Sequence, residues 1–189
     1  MGQDKGAMIF NNEPMVVAIL KKVCKYVDDL VLVLRNQEQL ELYIEILKQY
    51  DDYFNLPIKL VMDDVQNQGP LMGIKVGLEN IDNEYSLVLP CDSPFVNNKF
   101  IENIFNEKEN SICDAVIPRW DNGNIEPLHA IYSKHSKDLI EDLLLNGIHD
   151  VKSLILKLNT IFIRTDILDS SLDTYKNLNK PEDVYQNQD

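Results

Sequence analysis

Apolar residues along this chain fall into two alternating patterns. Continuous runs occur at Leu30–Leu34, Ile58–Met62 and residues 85–89, 115–118 and 160–163. Rich in bulky and β-branched side chains and bounded by turn residues, they read as strands covered on both faces. Between them lie segments whose apolar positions recur three and four apart. Val16, Val17, Leu20, Val23 and Val27 would line one face of a helix opened by Pro14, a residue suited to a first helical turn. Residues 38–50, 71–78, 97–105, 133–145 and 151–158 read as further helices. One more apolar run, 128–132, follows a loop at 121–124 built from Asp, Asn and Gly. This alternation predicts an α/β fold, a mostly parallel sheet with helices on both faces.

Length and charge narrow the picture. The 189 residues contain no repeat, low-complexity segment or linker, so a single domain over 1–189 is expected, long enough for a real core. A formal net charge of −13, from 31 acidic against 18 basic residues, repels phosphate backbones and argues against a nucleic-acid partner. No apolar run approaches the roughly 18 residues of a membrane span, and the start lacks an apolar signal stretch. Cys24, Cys91 and Cys113 are odd in number and lack C-x-x-C spacing. They read as reduced, buried thiols of a cytoplasmic protein.

Candidate chemistry concentrates where strands end. Asp92 follows the run 85–89 and sits between Pro90 and Pro94, which stiffen the loop. At that edge of an open α/β sheet ligands bind, and one carboxylate suits Mg2+, which leaves its other positions to water and phosphate. A plain turn aspartate is the competing reading. After the strand ending near Asp63 and Asp64, Gly69 and Pro70 open a helix continued by Leu71. Exposed N–H groups there suit an anion or a base edge, whereas Gly69, Gly73 and Gly77 equally suit close helix–sheet packing. Lys5, flanked by Gly2 and Gly6, offers a point charge for phosphate, or is merely solvated. Glu126 and His129 lie three apart across Pro127, and His129 is either a satisfied core residue or substrate-facing.

Five segments, in order, resemble the molybdenum cofactor guanylyltransferase (MobA) family: Met-Gly-Gln-Asp-Lys-Gly, Gly-Pro-Leu-Met-Gly-Ile, Leu-Pro-Cys-Asp-Ser-Pro-Phe, Glu-Pro-Leu-His-Ala-Ile-Tyr and Asn-Leu-Asn-Lys-Pro-Glu-Asp. The likeness implies a Rossmann-like nucleotidyltransferase of the nucleotide-diphospho-sugar transferase type. Such an enzyme transfers GMP from GTP to molybdopterin cofactor with Mg2+, releasing pyrophosphate. Lys5 would then hold the triphosphate, Asp92 the metal and Asp64 the nucleotide, with Gly69, Pro70 and Leu71 shaping its pocket. Glu126 and His129 would face the pterin, and Asn177 and Asn179 match a late Asn-x-Asn element. Transient contacts with cofactor-biosynthesis proteins or acceptor molybdoenzymes would follow.

Two departures qualify the resemblance. Family members place a strand and a Leu-Ala-Gly-Gly-x-Ser-x-Arg loop immediately before Met-Gly-x-Asp-Lys, whereas here Met1 falls inside that motif, so an N-terminally truncated domain is expected. The family's asparagine-containing strand end is Leu32-Val33-Leu34-Arg35 in this chain. A sister cytidylyltransferase, another nucleotidyltransferase and a non-catalytic remnant are the alternatives.

Overall fold

The computed structural model describes residues 4–63, 69–176 and 178. A two-residue hairpin comes first, β1 (Ile9–Phe10) with β2 (Glu13–Pro14). Its turn residues Asn11 and Asn12 both have positive φ, 49° and 67°, the conformation that tight hairpin turns ask of Asn. Then follow α1 (Met15–Val23), β3 (Leu30–Leu34), α2 (Gln37–Lys48), β4 (Ile58–Met62), α3 (Gly69–Asn80) and β5 (Tyr85–Val88). The second half holds α4 (Asn98–Glu109), β6 (Ala115–Arg119), β7 (Ala130–Ser133), α5 (Ser136–Leu145), α6 (Val151–Ile155), β8 (Thr160–Arg164) and α7 (Thr165–Leu168). Asn36, Asn97 and Asp150 cap α2, α4 and α6 with side-chain oxygens that accept a backbone N–H from the first turn.

The expected α/β fold is present, and parallel pairing dominates where helices connect the strands. β3 pairs with β4 and β6 with β8, both in parallel. β7 runs antiparallel between β5 and β6. The link from β6 to β7 is a loop without a helix, and a parallel return needs a longer crossover, so the chain doubles back. Side chains alternate across the sheet. Val116 and Ile131 pack toward α1 and α4, whereas Ala115, Ile117, Ala130 and Tyr132 pack toward α3, α5 and α6. Both faces are therefore covered by helices, as the apolar runs required.

The sheet is nevertheless divided. β3 and β4 form one two-stranded piece, and β5-β7-β6-β8 form a separate four-stranded piece. Between β3 and β5 lies a cavity of about 650 Å3 lined by Leu30, Leu32 and Leu34 on one wall and Tyr85, Leu87 and Leu89 on the other. Val16, Ile19, Leu20 and Val23 of α1 and Ile74, Gly77 and Leu78 of α3 also line it. Polar straps tie both ends. At the amino ends of the two strands, Asn83 donates to Asp28 (3.4 Å), the Asp82 N–H to Asp29 (3.3 Å), and Lys59 joins Asp82 at 2.8 Å. At the carboxyl ends, residues 4–6 reach Gln39 and Tyr43 beside β3 and Asp92 beyond β5. Like ends are strapped to like ends, so β3 and β5 point the same way across the gap.

This slot corrects one expectation. Cys91, expected to be buried, is exposed, because it lines the slot; Cys24 is half-buried, and only Cys113 is buried as expected. Burial of the sulfur among its immediate neighbours, with the Asp92 and Asp4 carboxylates, still pushes its pKa up to about 11. The thiol is therefore protonated at neutral pH and is not an activated nucleophile.

Candidate active site

Lys5, Asp92, Ser93, Glu126 and His129 gather around the carboxyl end of β5. Apolar residues stop at Leu89, and Pro90 and Pro94 bracket the turn that carries Asp92. The Asp92 carboxylate, 16% exposed, accepts from the Lys5 ammonium at 2.8 Å. Lys5 is itself 41% exposed, so the pair faces the solvent side of the strand end. Two residues named separately from the sequence are thus in contact, although 87 positions apart.

The first described residues are held in place by more than this pair. Asp4 accepts from the Gln39 amide at 2.6 Å, the Tyr43 hydroxyl at 2.9 Å and the Ala7 N–H at 3.2 Å, and Arg35 approaches at 3.5 Å. Burial, then the nearby Cys91 and Asp4, raise the Tyr43 pKa, so this phenol stays a donor. A Cβ at Gly6 would run into the Tyr43 hydroxyl and approach the Cys91 Cβ, so only glycine passes here. Asp4 was not singled out from the sequence. Its signal was adjacency to Lys5, and its partners on α2 lie beyond any local pattern.

Behind Asp92 is a second group. Ser93 and His129 are 1% and 2% exposed, and the Ser93 hydroxyl lies 3.0 Å from His129 Nε2. Glu126 Oε2 is 3.9 Å from His129 Nδ1, and Glu126 Oε1 accepts the Trp120 indole N–H at 2.6 Å. Burial lowers the His129 pKa to about 4, so the ring is neutral at pH 7. The order Ser–His–Glu has the form of a nucleophile, base and orienter. Its burial leaves no approach for a substrate to Ser93, so it is not used that way. Tyr175 closes the group, its ring centroid 5.8 Å from Phe100, 5.3 Å from Trp120 and 5.5 Å from His129. Trp120, Ser93 and Tyr175 escaped sequence reading, because each is marked only by contacts made across the fold.

Other candidates sit apart from this centre. Gly69 has φ +71°, open to glycine and strained for other residues, and with exposed Pro70 it begins α3. The Leu71 side chain is fully buried in the core, leaving only its backbone for a ligand. Gly77 faces β3, where a Cβ would meet Val33 at 3.7 Å, in keeping with the packing reading. Asp64, Asn177 and Asn179 lie outside the described residues. His129 stands behind the Asp92 loop rather than at its open face. Among the described residues no cluster of three or more metal-ligating side chains exists, and no helix is long and apolar enough to cross a membrane.

The lysine–aspartate pair thus sits at a strand's carboxyl end, the edge at which open α/β sheets bind nucleotides and other ligands. The profile of the MobA-like NTP transferase domain matches residues 1–161. A probable molybdenum cofactor guanylyltransferase from Methanothermobacter thermautotrophicus is 35% identical over 187 residues, covering 97% of this chain and 90% of its own length. A second from Methanosarcina mazei is 30% identical over 185 residues, covering 96% and 80%. The solved structure of molybdopterin-guanine dinucleotide biosynthesis protein A from Archaeoglobus fulgidus superimposes with a TM-score of 0.75 at 24% identity, over 98% of this chain and 89% of that one. The chain belongs to the MobA-like NTP transferase domain family and is a nucleotidyltransferase.

Proposed function

We propose that this protein transfers GMP from GTP to molybdopterin cofactor, forming the guanine dinucleotide cofactor and releasing pyrophosphate. The observation that carries the reading is the Lys5–Asp92 pair at the end of β5, together with relatives named for this activity. An oxygen of the acceptor's phosphate attacks the α-phosphorus, the bond to the bridging oxygen breaks, and pyrophosphate leaves with both electrons. No protein nucleophile is required. The Lys5 ammonium draws the triphosphate to the strand end and offsets its charge, and the stiff 90–94 loop fixes where the reacting phosphate lies.

The donor set fits Mg2+. A hard, partly exposed carboxylate beside a cation that recruits phosphate is what an ion sharing its ligands between protein and nucleotide needs. Asp92 would hold the ion, which would neutralise charge on the triphosphate as the P–O bond breaks. Glu126, 30% exposed and anchored by Trp120, lies 3.9 Å from His129, which meets Ser93 of the same loop, and this proximity supports its assignment to the pterin side. The nucleotide base is assigned to the Gly69–Pro70 helix start.

The slot belongs to this reading. An apolar strand parallel to β3 and β5 would run between α1 and α3 and end beside Gly6 and Cys91, the point from which a glycine-rich phosphate loop could lead into Asp4 and Lys5. Calorimetry with GTP, ATP, CTP and UTP in Mg2+ should rank GTP first, and equal or tighter CTP binding would move the protein to the cytidylyl branch. A version carrying an apolar strand and a Leu-Ala-Gly-Gly loop ahead of Met1 should bind GTP more tightly and release pyrophosphate faster with molybdopterin. Equal affinity and rate for the two versions would remove the slot from the mechanism.

A further inference from the structure

Three consecutive residues of the Asp92 loop are each held by a different part of the fold. The Asp92 carbonyl accepts the Leu178 N–H at 3.0 Å, from the segment that follows α7. The Ser93 hydroxyl meets His129 Nε2 at 3.0 Å, just ahead of β7. The Pro94 carbonyl accepts the Lys22 ammonium at 2.6 Å, from α1. The prolines set φ within the loop but do not decide how it is tilted against the body. Three anchors from three directions do.

We infer that His129 is a positioning residue for Asp92, acting through Ser93 at the centre of this clamp. The inference rests on the reading of Asp92 as the aspartate that holds metal and nucleotide. Ser93 and His129 are too deeply buried to touch a ligand, so any effect they have on binding passes through the loop. His129 is itself fixed, its ring set edge-on against Phe100 and Tyr175. Phe100 belongs to α4, and the Asn97 N–H at that helix's start donates to Thr174 Oγ1 at 3.3 Å, tying Tyr175's segment to the same wall. A hydrogen bond between a rigid imidazole and the Ser93 hydroxyl thus fixes the residue next to the carboxylate, the kind of support a metal-binding side chain needs from groups outside its ligand shell.

The test compares GTP affinity in Mg2+ with GTP affinity after chelation, in the intact chain, for Ser93→Ala, His129→Leu, His129→Gln and Asp92→Asn. Ser93→Ala and His129→Leu should cut the gain that Mg2+ gives by about tenfold or more, the size expected for removing an outer-shell partner, while chelated affinity stays within about twofold. His129→Gln, which returns an amide nitrogen near the position of Nε2, should recover most of the gain. The proposal is overturned if Ser93→Ala keeps the full Mg2+ gain, or if both affinities fall together as they would in a loosened fold. Asp92→Asn separates the two levels. If it keeps the gain, the reading of Asp92 fails and the clamp with it; if it loses the gain while Ser93→Ala does not, the clamp alone fails.

Discussion

The two pieces of the sheet are built from similar residues and end up in different states. β3 reads Leu-Val-Leu-Val-Leu and β7 reads Ala-Ile-Tyr-Ser, yet all four residues of β7 are buried, whereas only Leu34 of β3 is. β5, on the far wall of the slot, is half-buried along its whole length. β7 has a strand on each side, while β3 and β5 each have one paired edge and one facing the slot. Composition therefore reports the environment a strand is suited to, and pairing decides how much of it is realised. An entirely apolar strand, β3, thus lines the slot rather than a fully packed interior.

That contrast can be broken at four places. Chemistry is assigned to the four-stranded side, so Asp92→Asn should lower guanylyl transfer about a hundredfold to a thousandfold, roughly 3–4 kcal/mol, with the protein still folded. Arg35→Gln, at the end of β3 with a 67% exposed side chain, should stay within a few-fold of the parent. Equal losses in a steady-state assay would mean that both strand ends share the site.

Packing gives the next largest difference. Ile131 is fully buried and pairs with Leu87 on one side and Val116 on the other. Ile131→Ala should cost about 3 kcal/mol in urea unfolding, while Leu32→Ala on the slot wall should cost about 1 kcal/mol, because less contact is lost. Comparable costs would show that the slot closes in solution.

Acid should act on the four-stranded side. His129 titrates near 4 when folded, held down by burial, against about 6.5 when unfolded. The unfolded chain therefore takes up the proton first, and stability falls as pH drops from about 6.5 toward 4. Between pH 7 and pH 5 the loss should be about 2 kcal/mol. Asp169 adds a second window lower down: burial alone would raise its pKa, but hydrogen bonds from Thr174, Asn97 and Ser171 outweigh it and bring the value to about 2. Its contribution is present above about 4 and is lost as pH falls toward 2. His129→Gln should flatten the upper window only, and an unchanged slope in thermal unfolding would show that other groups set it. The smallest effect expected is Gly77→Ala. A methyl there meets Val33 at an ordinary contact distance and removes a helix-interior glycine, so stability should rise by about 0.5–1 kcal/mol, and a fall would mean that β3 sits closer to α3.

Much of the architecture was legible in periodicity. Leu30–Leu34 and Ile58–Met62 are strands with the bounds expected, because five apolar residues between turn signals leave little choice. The helices were found with ends shifted by a few residues, as at α1, which stops at Val23 rather than continuing to Val27. The β1–β2 hairpin was missed although Asn11-Asn12 marks it, since two-residue strands carry no period to read. The antiparallel run of β7 was not anticipated, although the absence of a helix between 119 and 130 marks it. In the site, Asp92 stood out because prolines bracket it. Its contacts with Lys5, Ser93's with His129, and the edge-on contact of Tyr175 with Trp120 join residues far apart in sequence, and only the fold brings them together.

The tryptophan is the single one in the chain, and its surroundings make it an optical instrument. Its indole donates to Glu126 and lies edge-on against Tyr175, which in turn lies against His129 behind the Asp92 loop. One ring is therefore connected to both parts of the proposed site, Glu126 directly and the Asp92 loop through Tyr175 and His129. On the proposed reading, arrival of an acceptor at Glu126 would disturb the indole directly, and arrival of nucleotide at Asp92 would reach it through these edge-on rings. Stopped-flow emission should resolve the order in which the two substrates arrive, without a label on either.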